Sequence, residues 1–232
     1  MGDMPRTVAL SPDGSKAYVG RWVDWSADGV DVVDTATGTV IATVPVAKEP
    51  DDLAVTPDGS RVYVASFAGN EVTVIDTVTN TVIATISDPA ISTPHSITLS
   101  PDGTRAYTTN FYSDNVSVID TATNTLTAII PVVGGPVGLS ATPDGAHLYV
   151  ANQTHATAVV IDTATNTVIT TIATIIRVGD TPSDILVDPT GTKAYVANSN
   201  AQSLSVIDTA TNTVTTTIGV GSGPTSIATA PH

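Results

Sequence analysis

An all-β fold, a β-propeller with five four-stranded blades, is what this sequence predicts, and three observations predict it. A turn motif recurs five times: Pro12-Asp13-Gly14, Pro57-Asp58-Gly59, Pro101-Asp102-Gly103, Pro143-Asp144-Gly145 and the altered Pro189-Thr190-Gly191. Its glycines, Gly14, Gly59, Gly103, Gly145 and Gly191, stand 45, 44, 42 and 46 residues apart, the period of a four-stranded blade. Between the turns run short segments rich in Val, Ile, Thr and Tyr, with no amphipathic helical period.

The second unit shows the elements in order. Strands are expected over roughly Asp52 to Thr56, Arg61 to Ala65, Glu71 to Ile75 and Thr81 to Ile86. Pro57-Asp58-Gly59 closes the first hairpin. The hairpin between the third and fourth strands carries a second marker, Asp76-Thr77-Val78-Thr79-Asn80-Thr81, repeated from Asp34, Asp120, Asp162 and Asp208. Asp and Thr cap backbone groups in such turns, while Asn, or Gly38 in the first copy, accepts the left-handed conformation. These aspartates therefore read as turn formers rather than metal ligands.

The repeat units run approximately over 5–49, 50–92, 93–134, 135–180 and 181–222, all within one expected domain spanning 1–232. The final residues, 223–232, begin Gly223-Pro224-Thr225-Ser226-Ile227-Ala228, which matches the first-strand pattern of Pro5-Arg6-Thr7-Val8-Ala9. An extra C-terminal inner-type strand is expected there. It is either surplus in a ring closed within one chain, the favoured arrangement for a monomer, or a strand that pairs with another chain, or part of a longer propeller.

Composition narrows the partners. Twenty-two acidic against eight basic side chains give a net charge of −14, which repels phosphate backbones and anionic lipid, so no nucleic acid is expected. The sequence has no cysteine, which removes disulfides and thiol nucleophiles. No apolar run reaches the length of a membrane span, so membrane insertion is not expected. The opening Met1-Gly2-Asp3-Met4-Pro5 does not read as a signal peptide.

The repeats also carry Tyr149-Val150-Ala151-Asn152 and Tyr195-Val196-Ala197-Asn198, each followed by Val-Ile-Asp-Thr-Ala-Thr-Asn-Thr, with Tyr107-Thr108-Thr109-Asn110, Tyr63-Val64-Ala65-Ser66 and Tyr18-Val19-Gly20-Arg21 in the other units. This pattern, over nearly the whole chain, resembles the YVTN family of β-propeller repeats. The resemblance implies an extracellular, cell-surface or periplasmic protein of the surface-layer or secreted type. Larger members of that family commonly have seven blades, so five is a departure, as are Arg21 and Ser66 in place of the Asn.

Function is sought where the repeats differ. In a propeller the loops between second and third strands share one face with the blade-to-blade connections. Every aromatic outside the repeated Tyr falls in those loops: Trp22, Trp25, Phe67, Phe111 and Tyr112. With Arg21 they form the expected ligand-binding set, because exposed aromatics stack on rings and sugars or anchor proteins. The alternative is that they merely cap the blade ends. The expected partner is a small molecule, a glycan or a protein.

Near the channel mouth, His95, Asp51, Asp184 and Arg6 could support acid/base chemistry. No cofactor is predicted, although the same carboxylates and imidazole leave room for a divalent metal. No nucleophile elbow, phosphate loop, zinc-spaced His pair or calcium loop is present. The leading expectation is a non-enzymatic binding propeller. A small lyase or hydrolase is the second reading, and a structural cell-surface module the third.

Overall fold

A computed structural model of the chain describes residues 4–22, 28–173 and 181–228. They form twenty strands in five antiparallel sheets of four, each sheet ordered as its strands follow in sequence, which is the β-propeller arrangement. The first sheet holds β1 (Met4–Leu10), β2 (Lys16–Trp22), β3 (Gly29–Asp34) and β4 (Thr39–Pro45). The second holds β5 (Pro50–Val55), β6 (Arg61–Ser66), β7 (Glu71–Asp76) and β8 (Thr81–Ile86). The third holds β9 (Pro94–Leu99), β10 (Arg105–Asn110), β11 (Asn115–Asp120) and β12 (Thr125–Pro131). The fourth runs from β13 (Pro136–Ala141) through β14 (His147–Asn152) and β15 (Thr157–Asp162) to β16 (Thr167–Ala173). The fifth runs from β17 (Pro182–Val187) through β18 (Lys193–Asn198) and β19 (Ser203–Asp208) to β20 (Thr213–Gly219). Among the described residues no helix is long and apolar enough to cross a membrane.

The chain divides into two compact units, one of Met1–Ser113 with Ser117–Thr127, the other of Asp114–Val116 with Ala128–His232. In the first unit the repeats stack through their apolar faces. Tyr18, Val30, Val32 and Val44 of the first sheet pack on Leu53, Val62, Val64 and Ile75 of the second, and Tyr63, Val72, Val74 and Ile86 on Ile97, Ala106 and Ile119 of the third. The second unit buries the matching set of Tyr149, Ile161, Ile185 and Ile207.

Both turn motifs form as expected. Gly14, Gly59, Gly103, Gly145 and Gly191 all have φ near +70°, and Asp58 accepts from the Thr56 hydroxyl at 2.6 Å and the Ser60 N–H at 3.0 Å. Asn80, Asn124, Asn166 and Asn212 are left-handed, as is Gly38. The turn Asn has a second use. Tyr63 donates its hydroxyl proton to Asn124 Oδ1 at 2.6 Å, and Tyr149 does the same to Asn212 at 2.6 Å, so these two tyrosines each hold the turn of the following blade. The buried Tyr149 hydroxyl is pushed up to about 12 by desolvation.

The C-terminal segment departs from a regular strand. Gly223–Ala228 carries no strand ladder. It still takes the position of a next inner strand: Ile227 N–H donates to Asp184 Oδ2 at 2.8 Å and Ser183 Oγ donates to the Pro224 carbonyl at 2.8 Å. Residues 229–232 of the expected closing segment lie outside the described residues.

Candidate functional site

Each inner strand carries Pro at its first or second position, and each has a register irregularity within the next few residues. Pro5 opposes Arg21 and Thr7 opposes Gly20, so Arg6 is skipped; Pro50 opposes Ser66 and Asp52 opposes Ala65, so Asp51 is skipped. A bulge frees a residue from the ladder and re-aims its side chain. In the first unit the residues after the prolines are Arg6, Asp51 and His95, and the structure brings all three together. Arg6 donates its Nε–H to Asp51 Oδ1 at 2.6 Å, and His95 Nδ1 lies 3.3 Å from Asp51 Oδ2. Asp51 is the enclosed member, its side chain 10% exposed against 52% for Arg6 and 27% for His95.

Aromatic walls complete the site. Phe67 meets His95 edge to face, with ring centres 6.2 Å apart at 81°. A cavity of about 180 Å³ is lined by Arg6, Trp22, Glu49, Pro50, Asp51, Phe67 and His95. Glu49 and Pro50 were not singled out from the sequence. The signal for Glu49 was its place before the inner-strand proline, where other repeats carry Gly135 and Gly223. Burial raises the Glu49 carboxyl above its ordinary range, and the charges of Asp28 and Asp51 raise it further.

The remaining expected residues sit elsewhere. Arg21 pairs with Asp31 across the β2–β3 ladder, Nε to Oδ1 at 3.0 Å. Phe111 stacks edge to face on the exposed Tyr112 at 5.3 Å, and neither lines the cavity. Trp25 lies outside the described residues. Asp184 belongs to the second unit, where it accepts from the N–H groups of Ile185 and Ile227, both at 2.8 Å. Its counterpart in the first unit is Asp52. That carboxylate accepts from Thr7 Oγ1 at 3.2 Å, Leu53 N–H at 2.8 Å, Ser96 Oγ at 2.8 Å and Ile97 N–H at 2.9 Å, joining three inner strands. Both acids have raised pKa values, through desolvation that their hydrogen bonds only partly offset. Their bonding is that of structural latches. Among the described residues no three His, Cys, Asp or Glu side chains gather into a metal-holding group.

Residues 89–219, more than half of the chain, match the family described as "Lactonase, 7-bladed beta-propeller". The chain belongs to this family. His95 falls inside the matched stretch; Arg6, Trp22, Glu49, Asp51 and Phe67 fall before it. No curated protein matches. Among solved structures, the chain is similar to Kuenenia stuttgartiensis hydrazine synthase, with a TM-score of 0.78 and 26% identity over 88% of this chain and 63% of that one. It spans less than two thirds of that relative's length.

Proposed function

We propose that the first unit binds a small molecule in the cavity walled by Trp22, Pro50 and Phe67, with the Arg6–Asp51–His95 group as its polar contact. One observation carries this reading: a single enclosed carboxylate fixes a guanidinium and an imidazole at the edge of an aromatic-lined cavity. Sites of this kind combine apolar walls with a few convergent polar groups. The Phe67→Ala variant tests it. A thermal-shift screen of small ring-bearing molecules and glycans is expected to yield ligands that stabilise the wild type and lose that effect in the variant. Ligands that stabilise both proteins equally would sink this reading.

A second reading, hydrolysis of a ring ester, is favoured by family membership together with the Asp51–His95 contact. A proton on Nδ1 facing Asp51 leaves Nε2 as the acceptor, the tautomer that takes a proton from an attacking water. A lactone panel turned over equally by wild type and His95→Ala would exclude it. The YVTN-type repeats and an extracellular, cell-surface or periplasmic location belong to the same proposal, supported by the repeat sequence.

A further inference from the structure

We propose that the cavity takes a small organic ammonium ion, seated against Trp22 and Phe67 with its charge on the Glu49 carboxylate. This deepens the binding reading above and rests on it. The first support is a backbone anomaly that no hydrogen bond of the Glu49 side chain repays. The residue before the inner-strand proline is left-handed at four positions, with φ of 61° at Glu49, 50° at Thr93, 62° at Gly135 and 67° at Gly223. Glycine adopts that conformation freely, whereas a residue with a side chain is strained in it. Thr93 uses its side chain there: the hydroxyl accepts from the Tyr112 N–H at 3.1 Å and donates to the Ser92 carbonyl at 2.7 Å. Among the described residues the Glu49 carboxyl makes no hydrogen bond, and it lines the cavity. Its backbone is nonetheless pinned, the N–H to Asp28 Oδ2 at 2.7 Å and the carbonyl by the Phe67 N–H at 2.7 Å.

Charge decides the class of ligand. Asp51 is paired with Arg6 at 2.6 Å, so Glu49 adds to the lining a second carboxylate that Arg6 does not engage. Of the charges acting on Glu49, Asp28 and Asp51 carry its own sign and outweigh Lys48, which carries the opposite one. A cation relieves that repulsion, an anion adds to it and a neutral polyol leaves it unchanged. Aromatic faces attract ammonium groups through their quadrupoles, and the net charge of −14 draws cations toward the protein.

The test titrates the full chain with choline chloride and, separately, with 3,3-dimethylbutan-1-ol, the uncharged molecule of the same shape, by calorimetry. Choline is expected to bind at least about tenfold more tightly than the alcohol, and Glu49→Gln to remove about that factor. Glu49→Gly is expected to weaken choline equally while raising the melting midpoint by about 2–4 °C, as release of left-handed strain in a chain of this size predicts. Equal affinity for both molecules, no choline binding, or undiminished binding by Glu49→Gln overturns the ammonium assignment. A lower midpoint in Glu49→Gly overturns the strain argument. The cavity reading fails separately, through the Phe67→Ala screen, which does not depend on ligand charge.

Discussion

The two units place different chemistry on the same backbone position. After the inner-strand proline the first unit carries Arg6, Asp51 and His95, and the second carries Val137 and Ser183, with Thr225 following Pro224. The residue next to it separates them again: Thr7, Asp52 and Ser96 in the first unit, Gly138, Asp184 and Ser226 in the second. In the second unit a methyl group on Gly138 would lie only 2.9 Å from the Asp184 Cα, so one partner of that latch is pared back to a bare backbone. The comparison teaches that one scaffold holds a polar site in one unit and close packing in the other, by choice of two residues per blade.

The largest effect that sharpens this contrast is expected at the latches. Asp52→Ala leaves two N–H groups and two hydroxyls without their acceptor and is expected to cost about 3 kcal/mol in denaturant unfolding. Asp184→Ala, which strands fewer donors, is expected to cost about 2 kcal/mol. Equal losses would break the distinction between the latches. The tyrosine contacts, by contrast, are the same in both units. Tyr63→Phe and Tyr149→Phe are each expected to cost about 1 kcal/mol, and a twofold difference between them would show that the scaffolds are not equivalent.

The smallest contrast is expected in acid. Turn aspartates in both units are held below their usual range by hydrogen bonds, Asp13 and Asp58 going from 3.8 to about 2. A depressed carboxyl stabilises the fold above its unfolded pKa, and that stability is lost as pH falls through the folded value. Asp52, Asp184 and Glu49 are raised, so their effect has the opposite sign: stability present in acid and lost as pH rises through the folded values. The depressed group is larger and spread over both units, so the denaturation midpoint is expected to fall between about pH 4 and pH 2. Asp13→Asn with Asp58→Asn is expected to flatten that fall.

The repeats made the scaffold legible. Period, turn glycines and left-handed asparagines each follow from local rules that act within a few residues, and the strands of the second sheet begin and end within about two residues of their expected places. The candidate site was legible in part. Arg6, Asp51 and His95 occupy one repeat position, so aligning the repeats brings them together, and Trp22 and Phe67 follow from the same alignment. Arg21 was misleading because its partner Asp31 stands across a ladder, a contact set by register rather than by repeat position. Asp52 and Asp184 looked alike with Asp51 as acids, yet their neighbours on adjoining strands give them another role. Glu49 escaped notice because a left-handed glutamate is visible only once φ is known.

The bulge at the head of each inner strand has a wider consequence. Because Arg6 and Asp51 are skipped in the register of their ladders, each can be rewritten without disturbing a register pair of its sheet. The blades of the first unit therefore offer sockets in which chemistry is installed one letter at a time.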